Sequence, residues 1–322
     1  MATGEFAASG SVSAQTQSRS GKAYAALIAG VLCISFTAIF TKIAHVPGPV
    51  AAAYRMSIAA AVLTLPFAWH LRRSGMPRIG VRWGVFGGLW FALNLGLLSS
   101  ALLRTSAATA TLLDNTAPVW VGLGALIFFH EKLGRRYWAG LALALAGAAV
   151  VTGLRLSAGV SLNSGDVMAF VGAVFYAGYL LNTQRARRDL DSLTYLWLVA
   201  ATAAVVLLLY CLVTGLPMLG YRPSSYLALI ALGVLTQVGG WMLIIYALGH
   251  LPASAAVVVL LAQPVVTGLL SIPLLGEPLG IRQLIGGALL LTGIALCLSG
   301  NGKASSAQSD VKIEPVHEPS TS

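Results

Sequence analysis

The amino-acid sequence predicts an all-α integral membrane protein with ten transmembrane helices, arranged as an inverted five-plus-five repeat. Three observations lead to this fold class. Of the 322 residues, 57% are hydrophobic and only 9% are charged, whereas soluble domains carry roughly a quarter charged residues. Ten apolar segments of membrane-spanning length follow one another along the chain. The last five segments repeat the sequence pattern of the first five.

Each apolar segment is long enough to cross a bilayer, because a helix of roughly 20 residues spans about 30 Å of hydrocarbon. Strands are excluded, since an open sheet edge in lipid would leave backbone groups without hydrogen bonds. The ten predicted spans are 24–43, 50–70, 83–102, 107–128, 137–154, 166–184, 192–214, 225–248, 253–274 and 281–299.

The basic residues predict the orientation in the membrane. The net charge is +10, and most of the Lys and Arg residues lie in short links between spans. If both termini are cytoplasmic, 14 of the 20 basic residues lie on that side, as the positive-inside rule requires. We therefore expect an inner-membrane protein with cytoplasmic N- and C-termini and no nucleic-acid partner. The polar segments 1–22 and 301–322 are expected to be disordered cytoplasmic tails.

An internal repeat appears when Ala101–Val151 is placed over Ala247–Cys297, an offset of 146 residues. The informative matches are Pro118 with Pro264, Glu131 with Glu277, Gly140 with Gly286, and Gly147 with Gly293. The first repeat is predicted to cover 23–154 and the second 155–300. Because each repeat has an odd number of spans, the second enters the membrane upside down. Inverted repeats are typical of secondary transporters.

These motifs resemble the drug/metabolite transporter superfamily, EamA-type. The pattern comprises Thr105-Ser106-Ala107, Pro118-Val119, Glu131-Lys132-Leu133, Gly140 and Gly147, and it recurs as Pro252-Ala253-Ser254, Pro264-Val265, Glu277-Pro278-Leu279, Gly286 and Gly293. Arg55 and Lys42 also resemble family positions. The resemblance implies a central cavity lined by spans 1, 3, 4, 6, 8 and 9, with spans 5 and 10 at the periphery. Many relatives have a Trp–small–x–Asn run in span 1, where this chain has Ile34-Ser35-Phe36-Thr37.

Two ionisable residues are predicted inside the membrane. Arg55 lies about 8 Å into span 2 and Asp114 about 10 Å into span 4, at 1.5 Å per residue. One interpretation is a structural ion pair that lets both charges stay buried. The other is that Asp114 binds a proton or a cationic group while Arg55 attracts a carboxylate. The repeat partner of Asp114 is Leu260, so the acid breaks the internal symmetry.

Polar and aromatic side chains from several spans are further candidates for binding a solute, with helix packing as the alternative for each. They are Trp90, Asn94, Asn115, Tyr176, Tyr179, Asn182, Gln237, Trp241 and Gln263. Pro118 and Pro264 are expected to bend spans 4 and 9, either as gating hinges or as static kinks.

Two further features have structural interpretations that we favour. Glu131 and Glu277 are expected to cap helix ends rather than to bind a coupling ion. Gly140, Ala144 and Ala148 form a small-residue face on span 5. We expect this face to pack within the chain, and a homodimer contact is the alternative.

The leading functional prediction is a gradient-driven secondary transporter that moves a small metabolite. By resemblance, the solute is an amino acid or a similar compound, and the direction is export. An uptake permease and a facilitative exchanger are alternatives within this class. No nucleotide-binding, metal-ligand or nucleophile motif is present, so we expect neither an enzyme nor a cofactor or metal. A non-transporting membrane scaffold is the alternative from another class.

Overall fold

The computed structural model describes residues 3–75, 80–152, 163–275 and 280–310. Within these ranges the chain is helical and contains no strand. The helices are α1 Thr3–Ala44, α2 Gly48–Ser74, α3 Val81–Ala101, α4 Ala107–Asp114, α5 Ala117–Phe128, α6 Arg135–Thr152, α7 Ser164–Ala186, α8 Ser192–Val213, α9 Pro223–Ala231, a π-helix Leu232–Gly240, α10 Trp241–Leu248, α11 Ala253–Leu260, α12 Gln263–Leu275 and α13 Ile281–Asp310.

Nine helical stretches in the described ranges are long and apolar enough to cross a membrane. Their edges agree with the predicted spans within four residues. The tenth span is α6, an 18-residue helix that begins with two arginines and packs along α13. The all-α fold class is therefore confirmed. An even number of spans places Ser20 and Ser299 on one side of the bundle, which we call the terminal face; the other side is the distal face.

The end helices continue into the polar segments for which the sequence predicts disorder. Helix α1 begins at Thr3 and α13 ends at Asp310. No proline occurs at residues 3–22 or 301–310, so no residue type that breaks helices stops either one at the membrane edge. Residues 311–322 lie outside the described residues, as does the predicted repeat boundary at 154. The division of the chain into tails and repeats stays a prediction.

Spans 4 and 9 are each broken into two helices at equivalent positions. Helix α4 ends at Asp114 and α5 begins at Ala117, while α11 ends at Leu260 and α12 begins at Gln263. Each break has the same tight turn: the Thr116 nitrogen donates to the Leu113 oxygen at 3.1 Å, and the Ala262 nitrogen donates to the Val259 oxygen at 3.0 Å. These pairs differ by the 146-residue offset. The two predicted kinks are therefore interruptions of the helix, and each ends two residues before the repeated proline.

The packing of the spans obeys the same inverted symmetry. Span 3 packs on spans 6 and 7, and its counterpart, span 8, packs on spans 1 and 2. Spans 4 and 9, which are counterparts, contact each other through α5 and α11. The repeat seen in the sequence is therefore a repeat in three dimensions.

The closest contact between the two halves lies between α6 and α13. A Cβ atom added at Gly147 would lie 2.4 Å from the Leu290 nitrogen and 2.7 Å from the Gly286 oxygen. At the symmetric site, a Cβ at Gly293 would lie 2.4 Å from the Ala144 nitrogen. Glycine is therefore required because backbone meets backbone. The small-residue face of span 5 is occupied within the chain, as we expected, and a homodimer through another surface stays a prediction.

We expect Gly147→Ala to lower the thermal unfolding midpoint of the detergent-purified protein. The new methyl group would force α6 and α13 apart, and overpacking of this kind costs about 1–3 kcal/mol. Gly134→Ala is the matched control, because no atom lies within 4 Å of a Cβ there. A Gly147→Ala protein as stable as the wild type would contradict this view of the interface.

Candidate functional site

A central cavity of about 190 Å³ lies between the two halves of the bundle. Spans 1, 2, 3, 4, 6, 8 and 9 all contribute to its wall. Arg55 and Asp114 are each seven residues beyond the distal ends of their helices, about 10 Å deep at 1.5 Å per residue. The cavity therefore lies in the distal half of the membrane. Its polar lining residues are Thr37, Arg55, Asn94, Asp114, Asn115, Tyr176, Trp241 and Gln263.

Arg55 is held in the wall of the cavity by an amide from span 8. Its side chain is buried at 7% exposure, and its Nε donates a 2.8 Å hydrogen bond to Gln237 Oε1. The guanidinium carbon lies 6.0 Å from the centre of the Phe91 ring. Gln237 belongs to the nine-residue π-helix within span 8. π-helical turns are frequent at functional sites, and this one carries the acceptor for a buried cation.

Asp114 is held by an amide from span 3. Asn94 Nδ2 donates to Asp114 Oδ1 at 3.1 Å and to the Gly172 carbonyl at 3.1 Å. One amide group therefore ties span 3 to the broken turn of span 4 and to span 6. Asp114 is the last residue of α4, and its carboxylate is only half-buried because it faces the cavity.

Arg55 and Asp114 do not form an ion pair, although both line the same cavity. In the described part of the chain, Arg185 pairs with Asp189, and His70 Nε2 lies 3.3 Å from Asp191 Oδ2. Each of the two cavity charges is instead fixed by a single neutral amide, which leaves the charge itself uncompensated. The structural-pair interpretation therefore lacks the contact that it requires.

Several buried donors around the cavity have no acceptor. Asn115 Nδ2 and Trp241 Nε1 belong to residues that line it, and Gln237 Nε2 lies behind Arg55. Buried polar groups are normally paired, so such a cluster calls for an acceptor from a bound molecule or from water. The Asn115 and Trp241 donors on the cavity wall, together with the Arg55 guanidinium, are groups that hydrogen-bond a carboxylate.

An aromatic cluster closes the cavity on the side of the terminal face. Tyr179 stacks on Phe91 with 4.5 Å between ring centres, and Trp241 meets both rings edge-on at 5.1 and 5.0 Å. Tyr176 meets Trp241 edge-on at 6.2 Å. Rings packed in this way form a rigid floor beneath the polar groups.

Seven of the eleven predicted solute-binding residues line the cavity: Arg55, Asn94, Asp114, Asn115, Tyr176, Trp241 and Gln263. Pro118 also lines it. Tyr179 and Gln237 are fully buried just behind the wall. Trp90 and Asn182 lie elsewhere: the Trp90 ring is 5.2 Å from Phe175, and Asn182 Nδ2 donates to the Trp83 carbonyl at 2.8 Å. Pro264 faces a separate apolar groove beside α13. A role in binding stays a prediction for the whole set.

Sequence reasoning missed two parts of the site. One is the part of the wall from span 1, where Ile34 and the polar Thr37 belong to the run in which the chain departs from the family pattern. That departure was a usable signal. The other is the aromatic residue Phe91, which nothing in a sequence rich in apolar residues distinguishes from ordinary core.

On the terminal face the two halves are joined by hydrogen bonds that we call the latch. Ser254 Oγ, in the second half, donates to Glu131 Oε2 in the first half. Tyr137 Oη donates to the Ser254 carbonyl at 3.4 Å. Glu131 thus contacts the first turn of α11, in the other half of the chain, through a side-chain hydroxyl, and its predicted role as a helix cap stays a prediction. The repeat counterpart of Ser254 is Ala108, and Glu277 lies outside the described residues.

Comparison with known proteins gives one family. The sequence pattern of the EamA-like transporter family matches residues 21–153 and again residues 163–299. An uncharacterised transporter of Archaeoglobus fulgidus is 29% identical over 233 residues, covering 72% of this chain and 80% of the relative. The uncharacterised transporter YyaM of Bacillus subtilis is 26% identical over 254 residues, covering 76% and 82%.

Two further matches are informative about location and fold. Inner membrane protein YtfF of Escherichia coli is 30% identical over 184 residues, covering 52% of this chain and 54% of the relative. A solved crystal structure superimposes with a TM-score of 0.70 at 24% identity, covering 88% of this chain and 99% of that one. At this identity, the superposition supports the ten-helix fold alone.

We expect Gln237→Leu to destabilise the protein, because it leaves the buried Arg55 guanidinium without its acceptor. A hydrogen bond to a charged group contributes about 1.5–3 kcal/mol. The measurement is the thermal unfolding midpoint in detergent. Gln237→Glu is the matched control, since it keeps an acceptor oxygen and should retain stability. Equal midpoints for Gln237→Leu and the wild type would show that Arg55 does not depend on this bond.

Proposed function

Because this chain belongs to the EamA-like transporter family, we propose that it moves an amino acid or a similar zwitterionic metabolite across the inner membrane. The proposal rests on one observation: Arg55 and Asp114, which carry opposite charges, line the same cavity and do not pair with each other. Ionisable groups inside a membrane are costly and usually mark a solute or ion pathway. A zwitterion would supply a counter-charge for each of them.

The two ends of the solute have separate sites in this proposal. Arg55 would bind the carboxylate, with Asn115 and Trp241 supplying neutral donors. Asp114 would bind the ammonium group or a proton. The rings of Phe91 and Tyr176, which line the cavity, would contact the apolar part of the solute and exclude water.

Alternating access would follow from the matched breaks in spans 4 and 9. Each break removes helical hydrogen bonds at one point, so the two half-helices can change their angle there. The cavity lies in the distal half while the latch joins the halves at the terminal face. This arrangement fits a conformation that is open, or nearly open, to the distal side. Exchanging the conformations of the two halves would open the terminal side.

Export is our proposal for direction, with uptake and facilitative exchange as the alternatives. We assign the terminal face to the cytoplasm because most of the basic residues lie there, and the name of the relative YtfF supports an inner-membrane location. The driving force would be the gradient of the solute or of protons. A scaffold without transport activity would need neither the uncompensated charges nor the matched breaks, and an enzyme would need a catalytic cluster.

Transport in proteoliposomes tests the proposal. We expect at least one zwitterion in a panel of labelled amino acids and metabolites to move, and an imposed pH gradient to accelerate the wild type only. In Asp114→Asn the acceleration by the gradient should be lost, because the amide binds no proton. Asp189→Asn is the control, an exposed acid paired with Arg185 outside the cavity.

The same assay also compares the transport rates of related solutes. Analogues that lack either the carboxylate or the amino group should move at least about tenfold more slowly, since one buried charge would stay unpaired. Gradient acceleration that persists in Asp114→Asn would exclude Asp114 as the coupling site. If no solute in the panel moves, the proposed substrate class is wrong.

The latch predicts a shift in conformation. Ser254→Ala removes the hydroxyl that donates to Glu131, a bond worth about 1.5–3 kcal/mol. We therefore expect the terminal side to open about tenfold more often. The reporter is Val257→Cys in a background without the native cysteines, labelled by an impermeant maleimide applied to the terminal face.

Ser271→Ala is the matched control for this experiment, since its hydroxyl donates only within its own helix, to Thr267. Labelling of the reporter should be unchanged in that variant. Equal labelling rates in Ser254→Ala and in the wild type would show that the latch does not hold the terminal side closed.

A further inference from the structure

A second cavity, unrelated to the central one, opens on the outer surface of the bundle near the terminal face. Helices α3 and α5 both pack on α7 and leave between them a groove of about 470 Å³. We call it the aromatic groove, and its main lining residues are Trp83, Trp90, Phe128, Phe129, Gly178 and Leu181. Phe128 is 71% exposed, and Ile127 beside it is 66% exposed. The groove therefore faces the lipid.

The groove extends from the membrane interface into the hydrocarbon. Trp83 is two residues from the terminal end of α3 and Trp90 is nine residues from it, a difference of about 10 Å along the helix axis. Gly178 lets the Trp90 ring lie directly against α7, because a Cβ there would lie 2.7 Å from the ring. The shape suits a chain that enters at the interface and runs along the helices.

The outer end of the groove is positively charged. Arg82 and Arg185 lie over the Trp83 ring, with their guanidinium carbons 5.3 and 5.4 Å from its centre. Arg188 lies 5.6 Å from the centre of the Phe129 ring. The acid at this end is Asp189, which pairs with Arg185 at 3.0 Å. Three cations and one anion leave an excess of positive charge directly above an apolar groove.

We propose that the aromatic groove binds an anionic phospholipid of the leaflet on the terminal face. The phosphate would lie between Arg82 and Arg185, which are held in place by the Trp83 ring, and one acyl chain would lie along Trp90 and Phe128. We infer an anionic headgroup because basic residues at an interface attract anionic lipids. We infer a lipid rather than a soluble phosphate because the groove below the arginines is long and lined mainly by apolar side chains. The proposal does not depend on which solute the protein carries.

The test uses the full chain in detergent with lipids whose acyl chains are brominated, which quench nearby tryptophan fluorescence. The chain has seven tryptophans, so the signal of Trp90 is taken as the difference between the wild type and Trp90→Phe. Brominated phosphatidylglycerol should quench this signal with an affinity about tenfold higher than brominated phosphatidylcholine. Excess inorganic phosphate should not displace the lipid.

Two double variants, each of which removes two positive charges, test which arginines cause the preference for the anionic lipid. Arg82→Gln with Arg185→Gln should reduce the affinity for phosphatidylglycerol to that for phosphatidylcholine. Arg135→Gln with Arg136→Gln, at the exposed start of α6, should keep the preference. Equal quenching by the two lipids, displacement by inorganic phosphate, or an equal loss in both double variants would each overturn the proposal.

Discussion

The structure depends on one constraint: an ionisable side chain inside the hydrocarbon needs a polar partner from the protein, because lipid tails supply none. Arg55 and Asp114 meet this constraint through neutral amides, Gln237 and Asn94, rather than through each other. The amide fixes the position of each charge without neutralising it. The side chains of the cavity are therefore held in place, while Arg55 and Asp114 have no counter-charge from the protein. A solute with matching charges would supply one for each.

Most of the backbone of the bundle is symmetric, with the π-helix of span 8 as an exception, whereas the side chains of the cavity are not. The helix breaks, the glycine contacts of α6 with α13 and the pairing of the spans all follow the 146-residue offset. The charges do not, because Asp114 has Leu260 as its counterpart. The latch is also one-sided, since Ser254 has Ala108. Symmetry would therefore provide two similar conformations, and the asymmetric side chains would set their relative populations and the specificity of the site.

The sequence was sufficient for the spans and their repeat because hydropathy and matched prolines are local signals. Nine spans appeared within four residues of their predicted edges, and both proline kinks were found as breaks. The partners of Arg55 and Asp114 were not predictable, because they depend on how each helix is rotated about its axis. The same is true of Asn182, whose amide donates to the Trp83 carbonyl, and of Trp90, which lines the aromatic groove. The π-helix of span 8 and the latch from Glu131 to Ser254 require tertiary contacts that periodicity does not contain.

A double-mutant cycle on Arg55 and Asp114 tests the central claim most directly. The unfolding midpoints of Arg55→Gln, Asp114→Asn and the double variant would be measured in detergent without solute. Residues that share no contact have nearly additive effects, with a coupling below about 0.5 kcal/mol. Our account predicts additivity, because two separately held charges await a solute. If the double variant recovers the stability that the single variants lose, the two residues are a structural ion pair and the cavity is not the site that we propose.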